Sequence, residues 1–256
     1  MSLRSTNPNP LLRTNLKSLR LPTMLAEHDK LAREAAASNQ TYEDYLLRLT
    51  ELELAARSAN ALTARIKKAE FPVLKDLDSY DFSALPTLNK QKVLELARCE
   101  WIRQHCNCCL VGSVGTGKTH LAISLGLAAC RESLRVRYFT AAALVNLLEE
   151  KQKQYQLERL LVQLDRVDLL ICDELGHRSF NRGGAELLFQ VFADRYERRS
   201  LLLTSNLPFS DWAQVFQGER MTAALLDRLT HHCHIFEMNG ESYRFRESMK
   251  AKRKKS

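Results

Sequence analysis

The sequence predicts an α/β protein, with a central parallel five-stranded sheet covered by helices and a small all-helical domain in front of it. Three observations predict this. From Asn107 onward, short apolar runs alternate with longer helical stretches. A glycine-rich phosphate-binding pattern, Gly112 to Thr119, sits where the first apolar run meets the first helical one. Before residue 70 the sustained period is helical only. The expected domains are 1–68, a small all-helical domain, and 69–256, the sheet domain with a basic C-terminal tail.

Composition sets the bounds. The chain has 256 residues, 45% of them hydrophobic, enough to bury a core and too apolar for general disorder. Its longest apolar run, Leu121 to Cys130, is ten residues and contains Ser124, whereas a membrane helix needs about 20. No membrane partner is expected. The first 26 residues hold no apolar block of the secretory kind. They carry Arg4, Arg13, Lys17 and Arg20 without an acid, like a transit peptide, but Asn-Pro-Asn-Pro at 7–10 should interrupt the helix a transit peptide needs. A flexible basic arm is expected instead. Seven cysteines in so long a chain do not make a disulfide scaffold, and Cys108, Cys109 and Cys172 lie in apolar, strand-like context. The expected compartment is the reducing cytoplasm.

The net charge is +8, and it sits at the ends. Residues 1–26 contribute +4 and residues 244–256 contribute +6, from seven basic residues against Glu247, so the remainder is 8 − 10 = −2. Basic ends suit a polyanion, most simply nucleic acid; a solvated tail is the plain alternative for the last six residues.

The elements run in this order. Leu16, Leu19 and Leu21, then Met24, Leu25, His28 and Leu31, give two rough helical stripes around Pro22. Thr41 caps a helix whose apolar face is Tyr42, Tyr45, Leu46 and Leu49, and which runs to about Lys68 before Phe71-Pro72. Residues 72–90 have no period and read as a linker lying against the next domain; 88–103 are helical again. Strands are expected at Cys108–Val111, Val136–Phe139, Val167–Cys172, Leu201–Thr204 and His234–Phe236, with helices at 118–131, 141–163, 184–198 and 220–229.

Gly112-Ser113-Val114-Gly115-Thr116-Gly117-Lys118-Thr119 is a complete G-x-x-x-x-G-K-[ST], placed after a strand and opening a helix. Its glycines let backbone N–H groups turn toward phosphates, and the helix N-terminus adds partial positive charge. Lys118 suits the terminal phosphates of a nucleoside triphosphate, and the Thr119 hydroxyl suits Mg²⁺. Val167 to Cys172 is an apolar run ending in Asp173-Glu174, 54 residues after Thr119. Asp173 can hold the water shell of Mg²⁺, and Glu174 can polarise the attacking water. Leu201 to Thr204 ends in Ser205-Asn206, and ligands in open α/β sheets sit beyond strand carboxyl ends. Asn206 is then either a γ-phosphate sensor or part of a plain Asn-Leu-Pro turn. Arg228, in Asp227-Arg228-Leu229, is either an arginine finger or a surface arginine. His231-His232-Cys233-His234 resembles a metal run, but successive strand residues point to opposite faces and do not converge on one ion without distant partners. His105, Cys106, Cys108 and Cys109 miss the usual C-x₂-C spacing of zinc sites, so structural zinc is not expected.

Taken together these segments resemble the AAA+ ATPases, and within them the DnaC/IstB branch, above all the IstB-like ATP-binding helper proteins of insertion-sequence transposition. The resemblance rests on Gly112 to Thr119 with His120-Leu121-Ala122, on Asp173-Glu174-Leu175-Gly176, and on Ala185 to Tyr196. It extends to Thr204-Ser205-Asn206, Leu226-Asp227-Arg228-Leu229, Gly240-Glu241-Ser242-Tyr243-Arg244, and the helix from Thr41-Tyr42-Glu43-Asp44-Tyr45. It implies an ATP hydrolase with ATP and Mg²⁺ as cofactors, which oligomerises on double-stranded DNA, remodels it and activates the transposase of the same insertion sequence. It implies that Lys118, Thr119, Asp173, Glu174 and Asn206 are nucleotide and sensor positions, with His120 beside them. Arg228 matches a finger supplied to a neighbouring subunit, which puts ATP at the interfaces of a homo-oligomer, and Arg244 matches a second phosphate sensor. Two departures stand out: Ser113-Val114 replaces the usual Pro-containing pair, and Ser179-Phe180-Asn181-Arg182 differs from the commoner sequence after the acidic pair.

A helicase loader of the DnaC kind is the alternative. A small-molecule kinase needs an acceptor site and an arginine-bearing lid, for which no segment stands out, and a nucleotide-dependent scaffold with negligible turnover is the remaining possibility.

Overall fold

The computed structural model describes residues 9–243 and 245, 246, 248 and 249. The chain divides into two compact units, the first ending at Ala64 and the second beginning at Arg65.

The first unit holds α1 (Pro10–Ser18), α2 (Pro22–Ala37) and most of α3 (Tyr42–Ala69). Within residues 9–26 the expected flexible arm is instead helical. Asn9-Pro10 starts a helix: the Asn9 side chain accepts from the N–H groups of Leu11 and Leu12, and Pro10 takes the first turn, where no donor is missed. Pro22 opens α2 in the same way, and here the cap comes from another helix. Oε2 of buried Glu53 on α3 accepts from Thr23 N at 2.8 Å and Met24 N at 3.0 Å, which places a carboxylate on the positive end of α2. Those two bonds hold the Glu53 carboxyl below its ordinary range against the opposing effect of burial, with help from Arg57. At α3, Thr41 and Asp44 bond reciprocally, as a capping pair. Leu16, Leu31, Ala35 and Leu49 form this unit's buried apolar centre.

The second unit is a five-stranded parallel sheet in the order β2-β3-β4-β1-β5. Its strands are β1 (Asn107–Val111), β2 (Val136–Thr140), β3 (Leu169–Leu175), β4 (Ser200–Ser205) and β5 (Cys233–Glu237). One face is covered by α6 (Lys118–Arg131), ten of whose 14 residues are buried. The other carries the main core, where Leu144, Leu148, Leu188 and Val191 pack with Leu170 and Leu203 of the sheet. This is the expected alternation; four strands lie within one residue of their expected bounds, and β3 starts two residues later and ends three residues later than expected.

The helices differ more. The stretch 88–103 is broken into α4 (Lys90–Leu96) and α5 (Glu100–Arg103), with Cys99 between them at φ 63°. The stretch 141–163 is two helices, α7 (Ala141–Lys153) and α8 (Leu157–Asp165). Tyr155 enters the left-handed region at φ 56° and Gln156 N donates to Lys151 O at 2.8 Å, a helix-ending turn that here uses a tyrosine where glycine is usual. The helix expected at 184–198 is α9 (Arg182–Asp194). It stops because Arg195 turns inward, 3% exposed, and donates to the carbonyls of Leu164, Val167 and Ser200, each at 2.9 Å. A short α10 (Ala213–Phe216) sets Trp212 and Phe216 into the core, and α11 (Glu219–His231) comes after it. All seven cysteines are free and five are buried, as their apolar context suggested.

Candidate nucleotide-binding site

Strand register gathers the site. Val111 pairs with Ser205, and Ser205 pairs with Leu175, so the carboxyl ends of β1, β3 and β4 lie side by side. The loop 112–117 leaves the end of β1, Asp173-Glu174 lie at the end of β3, and Asn206 comes directly after β4. A cleft of about 400 Å³ opens there. Val114 to His120 line it, together with Glu174, Thr204 and Asn206.

The loop is held by backbone. Gly112 N donates to Ser205 O at 3.1 Å. At Gly112, φ 146°, a Cβ would collide with the Met238 carbonyl, and at Gly115, φ 82°, with the Ser242 side chain. These glycines therefore answer to close approach as well as to turn geometry. Tyr243 N donates to Gly115 O at 3.0 Å, so the segment after β5 closes over the loop. Lys118, 9% exposed, donates from Nζ to Gly112 O and Ser113 O, each at 2.7 Å, which curls it back over the loop where a phosphate charge would be met. Burial lowers its pKa and the nearby Asp173 opposes that effect.

Of the two acids, Asp173 is the densely bonded one. It is 1% exposed and takes three hydroxyls. Thr119 donates to Oδ1 at 3.1 Å, Thr204 donates to Oδ1, and Tyr138 donates to Oδ2 at 2.5 Å. Glu174 behaves differently. It is exposed, at φ 62°, where the β3–β4 register slips between Cys172 and Leu175. The strand was expected to stop at Cys172. It runs on to Leu175 because this bulge turns Glu174 out toward the cleft and lets Leu175 pair again. Glu174 N donates to Thr204 Oγ1 at 2.9 Å, so one threonine ties the two acids together. A non-glycine residue in that backbone region is costly and is concentrated at functional positions.

The segment read as a linker supplies a further wall of the cleft. Lys75, Ser79, Tyr80, Asp81 and Ala84 face the cleft. The Tyr80 hydroxyl donates to Thr116 O at 3.4 Å, and burial pushes its pKa up to about 12. His120 contacts the same wall: its Nε2 lies 3.1 Å from Asp76 O, and its ring meets Tyr80 edge-on at 5.1 Å. Tyr80, Tyr138, Thr204 and Tyr243 were not foreseen. The Thr-Ser-Asn run was a signal for Thr204 and the Gly240 to Arg244 segment one for Tyr243, whereas nothing in the sequence around Tyr80 or Tyr138 marked them.

Arg228 is not brought to this cleft. It is exposed on α11, with its guanidinium 5.9 Å from the Phe189 ring centroid. The neighbouring Leu229 carbonyl accepts from Asn107 Nδ2 at 3.1 Å, and Asn107 begins β1, whose far end carries the loop. The length of that five-residue strand, about 16 Å at ~3.3 Å per residue, separates the two. Arg244 and the tail from Lys250 to Lys255 lie outside the described residues, as do residues 1–8. His231 and His232 do gather with one distant partner, Glu197, at the end of α11 and not on a strand. All three are exposed, and His231 Nδ1 is engaged by the Tyr196 hydroxyl at 2.9 Å. No helix among the described residues is long and apolar enough to cross a membrane.

A parallel sheet in this order, with a phosphate-binding loop after its first strand and an acidic pair on its third, defines a P-loop ATPase of the AAA+ class. Solved structures share that fold. The DnaC helicase loader superposes with a TM-score of 0.51 at 19% identity, covering 64% of this chain and 96% of that one. AMPPCP-bound DnaA from Aquifex aeolicus gives 0.54 at 22%, covering 71% and 56%. The profile of the IstB-like ATP binding protein family matches residues 14–251, and the chain belongs to that family. It is 38% identical to an insertion-sequence ATP-binding protein of Sinorhizobium fredii, over 93% of this chain and 80% of that protein. It is 37% identical to the ATP-binding protein of insertion sequence IS5376 in Geobacillus stearothermophilus, over 90% and 91%. With the ATP-binding protein of IS21 in Pseudomonas aeruginosa it shares 35%, over 92% and 89%.

Proposed function

We propose that this chain is an ATP-driven helper of DNA transposition. It assembles on double-stranded DNA with ATP between its copies, remodels that DNA, and activates the transposase of its own insertion sequence. Family membership and relatives named for insertion sequences support the transposition setting, and favour it over helicase loading, for which the likeness is one of fold. The charge of +8 gathered at the chain ends supports a polyanionic partner.

In this reading Gly112 to Gly117 cradle the phosphates and Lys118 meets the terminal ones. The oxygen donors of Thr119 and Asp173, 3.1 Å apart, fit Mg²⁺, a hard cation that prefers oxygen. Such an ion neutralises charge on the phosphates. Glu174, turned into the cleft by the bulge, orients and polarises water, and Asn206 bonds the γ-phosphate or that water. His120 braces the wall formed by residues 76–80. Arg244 is the proposed second sensor. The first domain, placed at 1–68, serves DNA binding and assembly, and 69–256 carries the ATPase.

The observation that carries the assembly reading is the position of Arg228, a strand's length from its own cleft and exposed. A finger there can serve only another copy's ATP. The test is ATP hydrolysis and transposase capture, each measured with and without duplex DNA. Both should rise with DNA and ATP together. Turnover that ignores DNA and protein concentration, with no ATP-dependent capture, would refute the proposal.

A further inference from the structure

We propose that Tyr138 is a positioning residue for Asp173. With Thr204 it fixes the carboxylate that faces Thr119, and so sets how tightly the nucleotide site holds a divalent cation. The inference rests on Asp173 being a cation-binding group.

Strand geometry makes the contact possible. Thr140 pairs with Asp173 and Tyr138 pairs with Ile171, so Tyr138 is the diagonal neighbour of Asp173 on one face of the sheet. Two residues along a parallel strand and one strand across, at ~3.3 Å and ~4.8 Å, put the two backbones about 8 Å apart, a gap that only a long side chain closes. The phenol closes it and puts its hydroxyl 2.5 Å from Oδ2. Phe71 packs against the tyrosine ring, centroids 6.2 Å apart, and limits its swing.

The bonds to the carboxylate are divided. Thr119 and Thr204 share Oδ1, while Tyr138 is the partner of Oδ2 among the described residues. Tyr138 is 7% exposed and Asp173 is 1% exposed, so water does not readily replace a lost donor. With Oδ2 tied to the β2 side, Oδ1 points at Thr119. Without the Tyr138 hydroxyl the carboxylate is free to rotate, and Oδ2 is left buried and unfilled. Partners that orient a metal-binding group typically change metal affinity by about 10–100-fold. Phenylalanine keeps the ring and its packing on Phe71, and removes only the hydroxyl.

The experiment titrates Mn²⁺ by electron paramagnetic resonance into the full chain saturated with a non-hydrolysable ATP analogue. Fluorescent-ATP binding in EDTA is measured in parallel. Tyr138→Phe should weaken Mn²⁺ by about 10–100-fold and leave cation-free nucleotide binding unchanged. Asp173→Asn should weaken Mn²⁺ at least as much. Wild-type Mn²⁺ affinity in Tyr138→Phe beside a loss in Asp173→Asn overturns the role of Tyr138 and leaves that of Asp173 standing. No loss in either overturns the assignment of Asp173 itself. If Tyr138→Phe does not fold, Thr204→Val and Thr204→Ser decide: a loss confined to valine supports the positioning network, and equal affinities refute it.

Discussion

The Thr119 hydroxyl lies 3.1 Å from Oδ1 of Asp173, joining the first turn of α6 to β3 across 54 residues of sequence. The phosphate-binding loop and the acidic pair are thereby one structure. Their separate substitutions should nevertheless fail in different ways.

Lys118→Ala should abolish ATP binding or turnover, because the loop loses its only point charge for the terminal phosphates. Equilibrium binding of a fluorescent ATP and phosphate release check this. Undiminished affinity and rate would remove the nucleotide assignment.

Glu174→Gln should keep ATP bound while hydrolysis falls by about 10²–10⁴, the usual range for losing a general base. Single-turnover measurement separates the two effects. A protein that no longer binds ATP but turns over normally per bound molecule makes Glu174 a binding group.

Gly112→Ala should destabilise the chain even without nucleotide. The added Cβ meets the Met238 backbone carbonyl, which cannot rotate away, at a backbone angle of φ 146°. A cost of about 1–3 kcal/mol is expected from overpacking, or several degrees in Tm for a unit of this size. Thermal unfolding of the nucleotide-free protein reads it; an unchanged Tm would mean that the segment after β5 yields readily.

Arg228→Ala and Lys118→Ala proteins should each be inactive alone and partly active when mixed. Some interfaces in the mixture then join an intact loop to an intact arginine. A finger is worth about 10³–10⁵ in rate, whereas an exposed ion pair contributes about 0–1 kcal/mol. Co-assembly on DNA without recovered activity, or normal hydrolysis by Arg228→Ala alone, excludes a finger acting between copies.

DNA affinity should fall steeply with salt and depend little on sequence. Deleting residues 250–256 removes Lys250, Lys252, Arg253, Lys254 and Lys255. If all five touch phosphates, the salt slope shrinks by up to about 4.5. An unchanged slope identifies the tail as solvated.

The sequence alone determined the alternation that builds the parallel sheet, because buried parallel strands are short apolar runs and their crossovers are long periodic ones. It also determined the loop from Gly112 to Thr119, where the chemistry is local and contiguous, and it marked Asp173-Glu174 by their place at the end of an apolar run. Only the tertiary structure decided what those residues touch. The Tyr138 and Thr204 hydroxyls reach Asp173 through strand register, which depends on how separate segments align and cannot be read from either segment alone. The bulge that aims Glu174 has the same origin, as does the burial of Tyr80, from a segment with no period, against the phosphate loop. The breaks at Cys99 and Tyr155 were hidden because left-handed turns carry glycine more often than cysteine or tyrosine; Cys99 is fully buried there, whereas Tyr155 is exposed and its turn is closed by backbone hydrogen bonding alone. Arg228 shows the division most clearly. Its spacing on an amphipathic helix says nothing of where it points. The fold puts it at the far edge of the sheet, because α11 returns the chain to the start of β5, while the cleft opens at the strands' other ends.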